Sequence, residues 1–485
     1  MEKQAKAAVQ YNNAKMWQIG FFSLNNCATN IAMFLMMQYS YYTQNVLGLA
    51  AAIIGIIATA TRIFDAVTDP LVGFLVDRTN GRFGKFRPYM LVGNIIIWAS
   101  LIVIFNTPTT WSIQQKYLYT TLFYIIYIIG YTCQTVVTKA GQAVLTNNPK
   151  QRPVFSGFDS VLTQMASALV PMLITTILAE KYSVGEFIAE NGKSLGMINP
   201  AMWKEAVLIL AAVSFIFTTL AIIGISQKDR PEFFGEGGSQ PKVGFKDYKD
   251  IVMHNRPIQM LIISAATDKL GQLLMSGTMT YVFANMLLDS KLQGVFSSIL
   301  IAPLVAVSIG GVFVSRKFGL KRTFLVGTWT SMVMLAVMFV VKPDPEMPAL
   351  FLGMFLVQKC CASMGNAGVI PMIADCTDYE TYRSGRFVPG MMGTMFSFID
   401  KIISSFSALI QGFALTMAGV GNVVIRPNEP VNDTFNMAIM ICFCIVPILG
   451  HIATVIAMRW YNLDREKMAE IQHELEQRKL RAQEG

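Results

Sequence analysis

The chain has 485 residues, of which 53% are hydrophobic and 14% are charged, and its mean hydropathy is +0.46. A water-soluble domain carries about 25% charged residues, so this composition excludes an ordinary soluble protein and favours a membrane protein. The formal net charge of +9 could suit nucleic acid, but Lys and Arg are concentrated in alternate hydrophilic segments. That distribution is typical of membrane topology, and we expect no nucleic-acid partner.

Twelve apolar stretches of about 20 residues follow one another, each long enough to cross a hydrocarbon core of about 30 Å. They are centred on 19–42, 50–76, 88–105, 118–138, 158–178, 207–225, 257–287, 296–315, 323–341, 349–373, 391–418 and 435–457, and the ninth is the weakest. The basic residues of the N-terminus, the central loop and the C-terminus place both termini in the cytoplasm. The sequence therefore predicts an all-α, multi-pass protein of the cell membrane.

Catalytic and metal-binding patterns are missing from the sequence. The seven cysteines fall in or beside apolar stretches and the three histidines are scattered. The chain contains no G-x-S-x-G, H-E-x-x-H or phosphate-loop motif. We therefore expect no enzyme activity, no resident metal and no cofactor.

The first apolar stretch carries an unusual polar cluster that includes Asn25 and Asn26. Amides inside a membrane helix can hydrogen-bond a neighbouring helix, and they can equally contact a polar substrate. Both interpretations stay open for this cluster.

The second stretch carries three charged residues, Arg62, Asp65 and Asp69, at positions i, i+3 and i+7 of a helix. This spacing places them on one helix face. Two carboxylates are costly in hydrocarbon unless they face a cavity, water or a partner, so the face is a candidate site for Na⁺ or H⁺. The alternative is that Arg62 simply neutralises Asp65 as a structural pair.

A basic loop follows this helix and contains Asp77, Arg78, Arg82, Lys85 and Arg87. Such a set can clamp neighbouring helix ends and act as a cytoplasmic gate. Anchoring by the positive-inside rule explains the basic residues equally well.

A partial repeat of this loop occurs at residues 310–327, where F-G, basic residues and L-V-G recur in order. Six apolar stretches separate the two copies, which indicates two parallel six-helix halves. The predicted divisions are an N-terminal half at 1–225, a charged cytoplasmic loop at 226–256, a C-terminal half at 257–457 and a cytoplasmic tail at 458–485.

The fourth stretch carries Gln134, Lys139 and Gln142, which give it a polar face with a cationic centre. Lys139 could hold a substrate carboxylate, extend to the membrane interface, or pair with Asp159. In the seventh stretch, Asp268 and Lys269 are adjacent, so they point in different directions and need separate partners.

Two motifs together resemble the glycoside–pentoside–hexuronide:cation symporters of the major facilitator superfamily. The first is R-I-F-D-A-V-T-D-P-L-V-G with D-R-T-N-G-R-F-G-K-F-R-P, and the second runs from P-M-I-A-D-C-T-D-Y at 371 to D-K at 401. The resemblance covers about residues 15–460. It implies a major facilitator bundle of twelve helices in two halves.

The resemblance also implies roles for individual residues. Asp65 and Asp69 match the family's cation-binding carboxylates, and Lys401 matches the lysine of the eleventh helix that belongs to the coupled site. We place Arg62 and Asp400 in the same charge network. Asp375 and Asp378 match the family's aspartate-containing loop, and we assign them to the cytoplasmic gate.

The substrate residues depart from the family pattern. The sugar-binding acid that some members carry on the first helix would fall near Asn25 or Asn26, and the one on the fourth helix near Gln134 or Thr135, none of which is an acid. The candidate substrate contacts are Asn25, Asn26, Gln134, Lys139 and Gln142.

The function implied is import of a sugar, which could be anionic like a glucuronide, coupled to Na⁺ or H⁺ by alternating access. The alternative keeps the fold but carries a non-sugar solute such as a lysolipid or an organic anion. We expect the protein to act as a monomer in the bilayer without an obligate protein partner.

Overall fold

The structure is a computed structural model that describes residues 13–79, 81–146, 151–189, 192–230, 253–366, 368–385 and 389–484. The side chains of some helical residues, including Asp77 and Lys139, lie outside the described part. Where the chain is described, its regular structure is helical apart from two isolated β-bridges. The predicted all-α class is confirmed.

The described residues of the N-terminal part form eight α-helices. They are α1 Met16–Met36, α2 Tyr39–Asn45, α3 Ala51–Arg78, α4 Arg87–Phe105, α5 Ile113–Leu145, α6 Arg152–Pro171, α7 Ala179–Lys181 and α8 Pro200–Ile225. A π-helical segment, Met172–Leu178, joins α6 to α7 so that both belong to one long rod. Short 3-10 turns at Gly185–Phe187 and Gly196–Ile198 precede α8.

The described residues of the C-terminal part form ten more. They are α9 Arg256–Tyr281, α10 Lys291–Ile299, α11 Ile301–Phe318, α12 Leu320–Val341, α13 Pro348–Asn366, α14 Val369–Ser384, α15 Pro389–Met417, α16 Asp433–Met440, α17 Val446–Arg459 and α18 Arg465–Glu484. π-helical segments follow α9 at Val282–Met286 and join α16 to α17 at Ile441–Ile445.

Several helix starts are specified locally by asparagine caps. The side chains of Asn199, Asn255 and Asn432 each accept a hydrogen bond from a backbone N–H in the first turn of α8, α9 and α16. These bonds satisfy donors that a helix cannot pair internally. Between the caps, continuous helix leaves few backbone groups unpaired, as hydrocarbon requires.

Ten helices in the described residues are long and apolar enough to cross a membrane. The sequence predicted twelve. The two remaining stretches are α9, whose centre carries Asp268 and Lys269, and α13, which offers the shorter apolar helix Pro348–Met364. The polar residues of α9 and the shorter apolar run of α13 account for the difference between ten and twelve spans.

The helices pack into an N-terminal group and a C-terminal group, which meet mainly along α3 and α15. In the N-terminal part, α1 packs against α5, α6 and α8, while α4 packs against α5 and α8. In the C-terminal part, α9 packs against α15 and α17, while α12 packs against α13 and α17. The most extensive contact joins α3 to α15, and a smaller one joins α10 to the end of the α6 rod.

The crossing of α3 and α15 is close because glycine occupies the contact on both helices. A Cβ atom at Gly55 would lie 2.6 Å from the Ala408 carbonyl oxygen, and one at Gly412 would lie 2.3 Å from the Ala51 carbonyl oxygen. Near the same crossing, Thr59 Oγ1 donates to the Ser405 carbonyl at 3.0 Å. This contact sets how near the charged side chains of the two helices can come.

The internal repeat has a structural counterpart in its two loops. Gly84 and Gly319 follow the matching Phe residues of the repeat, and both adopt φ of +90°. This region of backbone space favours glycine because it lacks a Cβ atom. The two copies therefore share a backbone turn as well as residue types.

We expect Gly412→Ala to lower the apparent melting temperature of the detergent-purified protein. The added methyl group cannot approach a carbonyl oxygen to 2.3 Å, so α3 and α15 must separate, and overpacking of this kind costs about 1–3 kcal/mol. Gly353→Ala on α13 is the matched control, because open space surrounds that position. Equal melting temperatures for the two variants would contradict the close crossing.

Candidate functional site

A lysine on α15 lies between two carboxylates on α3. Lys401 Nζ is 3.0 Å from Asp65 Oδ2 and 2.5 Å from Asp69 Oδ2. The Asp65 side chain is 1% exposed, whereas that of Asp69 is 27% exposed. The spacing of the two aspartates brings them to one face of α3, and the glycine crossing brings Lys401 to that face.

Hydroxyl groups complete the surroundings of the inner carboxylate. Thr132 Oγ1 on α5 donates to Asp65 Oδ1 at 3.0 Å, and the Thr68 hydroxyl lies 3.2 Å from the Thr132 hydroxyl. Asp69 Oδ1 is buried and has no hydrogen-bond partner among the described residues. Carboxylate and hydroxyl oxygens are hard ligands, so this set can hold a small cation or a proton.

Arg62 does not form the ion pair with Asp65 that the structural alternative required. Lys401 takes that place in the described part of the molecule. Arg62 instead lines a small cavity of about 40 Å³ together with Tyr124, Tyr127 and Tyr131. It shares a helix with the two carboxylates and borders their site.

Asp400 lies next to Lys401 in sequence but pairs with a different residue. It forms an ion pair with Lys269 of α9. The neighbouring Asp268 accepts a hydrogen bond from Thr454 Oγ1 and lies 2.9 Å from His451 Nδ1. Asp268 and Lys269 thus have separate partners, as their adjacent positions predicted, whereas Lys269 and His451 were absent from the predicted site.

Two predicted substrate residues are occupied in helix packing. Asn25 is fully buried and donates to Thr138 Oγ1 at 2.8 Å. Gln134 is also fully buried and donates to the Met90 carbonyl at 2.6 Å. Their amide oxygens have no hydrogen-bond partner among the described residues, but neither residue lines the cavities described here. The donated bonds agree with the interhelical interpretation of the polar first helix.

The Asp159 carboxylate on α6 is the hydrogen-bond partner of two other predicted substrate residues. Gln142 Nε2 donates to Asp159 Oδ2 at 3.1 Å, and Asn26 is within hydrogen-bonding reach of the same carboxylate. The side chain of Lys139 lies outside the described part, so its predicted contact with Asp159 or a substrate stays a prediction.

A cavity of about 340 Å³ lies where helices of the N-terminal and C-terminal parts meet. Its polar lining includes Gln38, Gln164, Gln272, Gln293, Gln358 and Lys359. Sequence reasoning missed this set because its residues are spread over several helices at no recognisable spacing. The available signal was the presence of glutamine and lysine inside apolar stretches.

The basic loop before α4 is held by an aspartate that the sequence reading did not single out. The carboxylate of Asp229, which is fully buried, accepts hydrogen bonds from the backbone N–H groups of Lys85, Phe86 and Arg87. It also pairs with Arg87 Nε at 3.3 Å. A negative charge at the start of α4 interacts favourably with the helix dipole.

The other predicted gate residues have varied surroundings. Arg78 and Arg82 are exposed, and the side chain of Asp77 lies outside the described part. Asp378 accepts a hydrogen bond at 2.6 Å from Gln472 of α18. Burial, and then the neighbouring Asp378 carboxylate, raises the pKa of Asp375 to about 6.

We expect Gly84→Ala to destabilise the loop before α4 by at least about 1–2 kcal/mol, the cost of a left-handed backbone for a residue with a Cβ atom. Its Cβ atom would also lie 2.1 Å from Asp229 Oδ2. The measurement is the apparent melting temperature together with tryptic cleavage in the loop.

Gly81→Ala is the matched control in the same loop, since its nearest neighbour would be 3.8 Å away. If the two variants melt and cleave alike, Asp229 does not hold the loop as described.

The fold is that of transporters of the major facilitator superfamily. The chain resembles the nucleoside transporter NupG with a TM-score of 0.59 and 12% identity, over 92% of this chain and 99% of that one. It resembles FucP, a major facilitator transporter solved in the outward conformation, with a TM-score of 0.53 and 10% identity, over 92% and 98% of the respective chains.

Residues 21–465 match the family described as MFS/sugar transport protein, and the chain belongs to this family. It is 25% identical to the glucuronide carrier protein homolog of Escherichia coli (strain K12), over 94% of this chain and 95% of that protein. It is 23% identical to the isoprimeverose transporter of Lactiplantibacillus pentosus, over 95% and 91%. The resemblance to the glycoside–pentoside–hexuronide:cation symporters is thereby confirmed, and the protein is a multi-pass membrane transporter and not an enzyme.

Proposed function

We propose that the protein is a secondary symporter that imports a sugar together with Na⁺ or H⁺ by alternating access. The observation that carries the proposal is the position of Lys401 between Asp65 and Asp69. The names of two relatives, an isoprimeverose transporter and a glucuronide carrier homolog, support a sugar as the cargo.

The proposed architecture has twelve membrane helices in two halves, 1–225 and 257–457. The segment 226–256 and the tail 458–485 lie in the cytoplasm, as do both termini of the chain. In this arrangement α9 and α13 supply two spans whose polar side chains face the interior, where charged groups are tolerated. A single copy in the bilayer performs transport, with no resident cofactor or obligate protein partner.

The cation binds at Asp65 and Asp69, in competition with Lys401. A proton or Na⁺ on either carboxylate removes part of the negative charge that holds the ammonium group. Asp69 is the more exposed of the two, so it meets the entering cation first. The buried, unpaired Asp69 Oδ1 and the Thr132 hydroxyl supply further oxygen ligands.

Displacement of Lys401 couples the cation to movement of the halves. With the cation absent, the Lys401 ammonium ties α15 to α3; with the cation bound, that tie weakens and the halves can rearrange around the cargo. By linkage, a cation that favours one conformation raises the affinity of that conformation for sugar, and the sugar does the same for the cation.

Secondary roles follow for the neighbouring charges. The Lys269–Asp400 pair keeps Asp400 neutralised when Lys401 is released. Arg62 contributes positive charge beside the two carboxylates without blocking them. The basic loop at 78–87, with Asp375 and Asp378, forms the cytoplasmic gate, and Asp229 fixes its geometry.

The cavity lining favours a sugar over the alternative cargo of a lysolipid. Glutamine and serine supply half of its lining residues and apolar side chains supply most of the rest; the glutamine and serine groups exchange hydrogen bonds with hydroxyls. A lysolipid needs an apolar chamber for its acyl chain. A panel of sugars and lysolipids in the same binding assay separates the two candidates.

We expect Asp65→Asn and Asp69→Asn to abolish accumulation of sugar against its gradient in proteoliposomes. Each variant removes a carboxylate that binds the cation, and the loss is at least about tenfold, corresponding to about 1.4 kcal/mol of cation binding. Na⁺ and pH gradients are imposed separately, so the assay also identifies the coupling ion.

Asp433→Asn is the control, because Asp433 is exposed at the start of α16. Gradient-driven accumulation by the Asp65→Asn/Asp69→Asn double variant at the wild-type level would overturn the assignment.

A further inference from the structure

We propose that Lys359 on α13 binds the carboxylate of an acidic sugar, a hexuronide, in the cavity between the halves. This inference rests on the proposed function and narrows its substrate class. Lys359 lines the cavity beside Gln358. Its support comes from the charge balance of the membrane interior and from the orientation of two cavity glutamines.

The other described lysines at the centre of the bundle have carboxylate partners. Lys401 lies between two aspartates, and Lys269 pairs with Asp400. In the described part of the chain, no ion pair involves Lys359, whose Nζ instead lies 5.2 Å from the centroid of the buried Phe355 ring. A cation in a low-dielectric setting needs a counter-charge, so the cavity is suited to an anionic ligand.

A chain of hydrogen bonds orients Gln358. Its Nε2 donates to Ser331 Oγ at 3.0 Å, and that hydroxyl lies 2.9 Å from His451 Nε2. His451 Nδ1 lies 2.9 Å from Asp268 Oδ1. If the His451 Nδ1–H donates to Asp268, then His451 Nε2 accepts from the Ser331 hydroxyl. That hydroxyl in turn accepts from Gln358 Nε2, so each bond in the chain has one donor and one acceptor.

A second chain orients Gln293 in the same way. Its Nε2 donates to Thr280 Oγ1 at 3.3 Å, and Thr280 donates to Gln38 Oε1 at 3.2 Å. Gln293 and Gln38 both line the cavity. The amide hydrogens of Gln293 are thus directed to the protein, as they are in Gln358.

Both glutamines are left with an unpaired carbonyl oxygen. Gln293 and Gln358 are each 2% exposed, and neither Oε1 atom has a hydrogen-bond partner among the described residues. A buried acceptor without a donor is unfavourable. Sugar hydroxyls are suitable donors for these oxygens, and both side chains line the cavity in which a sugar would bind.

The combination of one ammonium and two fixed acceptors defines a ligand with one carboxylate and several hydroxyls. The cavity volume of about 340 Å³ lies within the range of about 300–1,000 Å³ that small-molecule sites occupy. A neutral glycoside satisfies the acceptors but leaves Lys359 without a counter-charge. A hexuronide satisfies both requirements, so the carboxylate is the group that decides selectivity.

The test compares methyl glucuronide with methyl glucoside, which share a ring and differ in a carboxylate against a hydroxymethyl group. Binding to the purified full-length protein and uptake into proteoliposomes are measured. We expect the wild type to prefer the uronide at least about tenfold, equivalent to about 1.4 kcal/mol. Lys359→Gln removes the preference while neutral-sugar binding persists, and Lys359→Arg retains most of it.

Two further variants separate charge from general damage. Lys204→Gln changes an exposed lysine at the start of α8 and leaves the preference intact. Ser331→Ala breaks the hydrogen-bond chain that orients Gln358. It therefore lowers the affinity for both sugars by a similar factor and leaves the ratio of the two affinities unchanged. Melting temperatures show that each variant is folded.

The outcomes distinguish this inference from the proposed function. A wild type that accumulates the neutral sugar with a cation gradient but shows no uronide preference overturns the role of Lys359 and leaves the symporter proposal standing. Retention of the preference by Lys359→Gln overturns it too. Failure to take up the uronide under any gradient overturns this inference, whereas failure of the whole sugar panel under both gradients overturns the proposed function itself.

Discussion

The contact between Lys401 and two aspartates is the interaction on which the rest of the arrangement depends. Lys401 and Asp69 are 332 positions apart in the chain, in helices that belong to different parts of the bundle. Burial makes each charge costly alone, so the Lys401 ammonium group stabilises the two carboxylates and is stabilised by them. Removal of one partner would leave an uncompensated charge inside the protein.

That ion cluster is possible only because two helices come unusually close. Glycine on both sides of the α3–α15 crossing allows backbone atoms to meet, and the Lys401 side chain then reaches Asp65 and Asp69. The start of α3 is also bonded to the segment that follows α15, because the Ala51 N–H donates to the Gly421 carbonyl at 2.8 Å. The close glycine contacts and the ion cluster therefore both stabilise the interface between α3 and α15.

The polar networks of the C-terminal part extend from this centre towards the cavity. Asp268 and Lys269 are neighbours on α9, yet one joins the His451 network and the other pairs with Asp400. Because successive helical residues point about 100° apart, a single helix can serve two networks. Two pairs of adjacent residues, Asp268–Lys269 and Asp400–Lys401, thus connect the ion cluster to the network that orients Gln358.

The sequence by itself determined the membrane class, most of the apolar helices and the face that carries Asp65 and Asp69. These features depend on composition and on local spacing, which tertiary contacts do not alter. The family resemblance added Lys401. Only the tertiary structure decided that Asn25 and Gln134 hydrogen-bond within helix packing, and that Asp229 holds the basic loop.

The cavity lining was likewise decided by tertiary structure alone. Its glutamines come from several helices and share no sequence pattern with Lys359. Whether a lysine inside the bundle has a carboxylate partner depends on which helices meet around it. Helical periodicity fixes which residues share a face of one helix, but the crossing of different helices fixes which faces meet. For that physical reason the helix face that carries Asp65 and Asp69 could be predicted from the sequence, and the lining of the cavity could not.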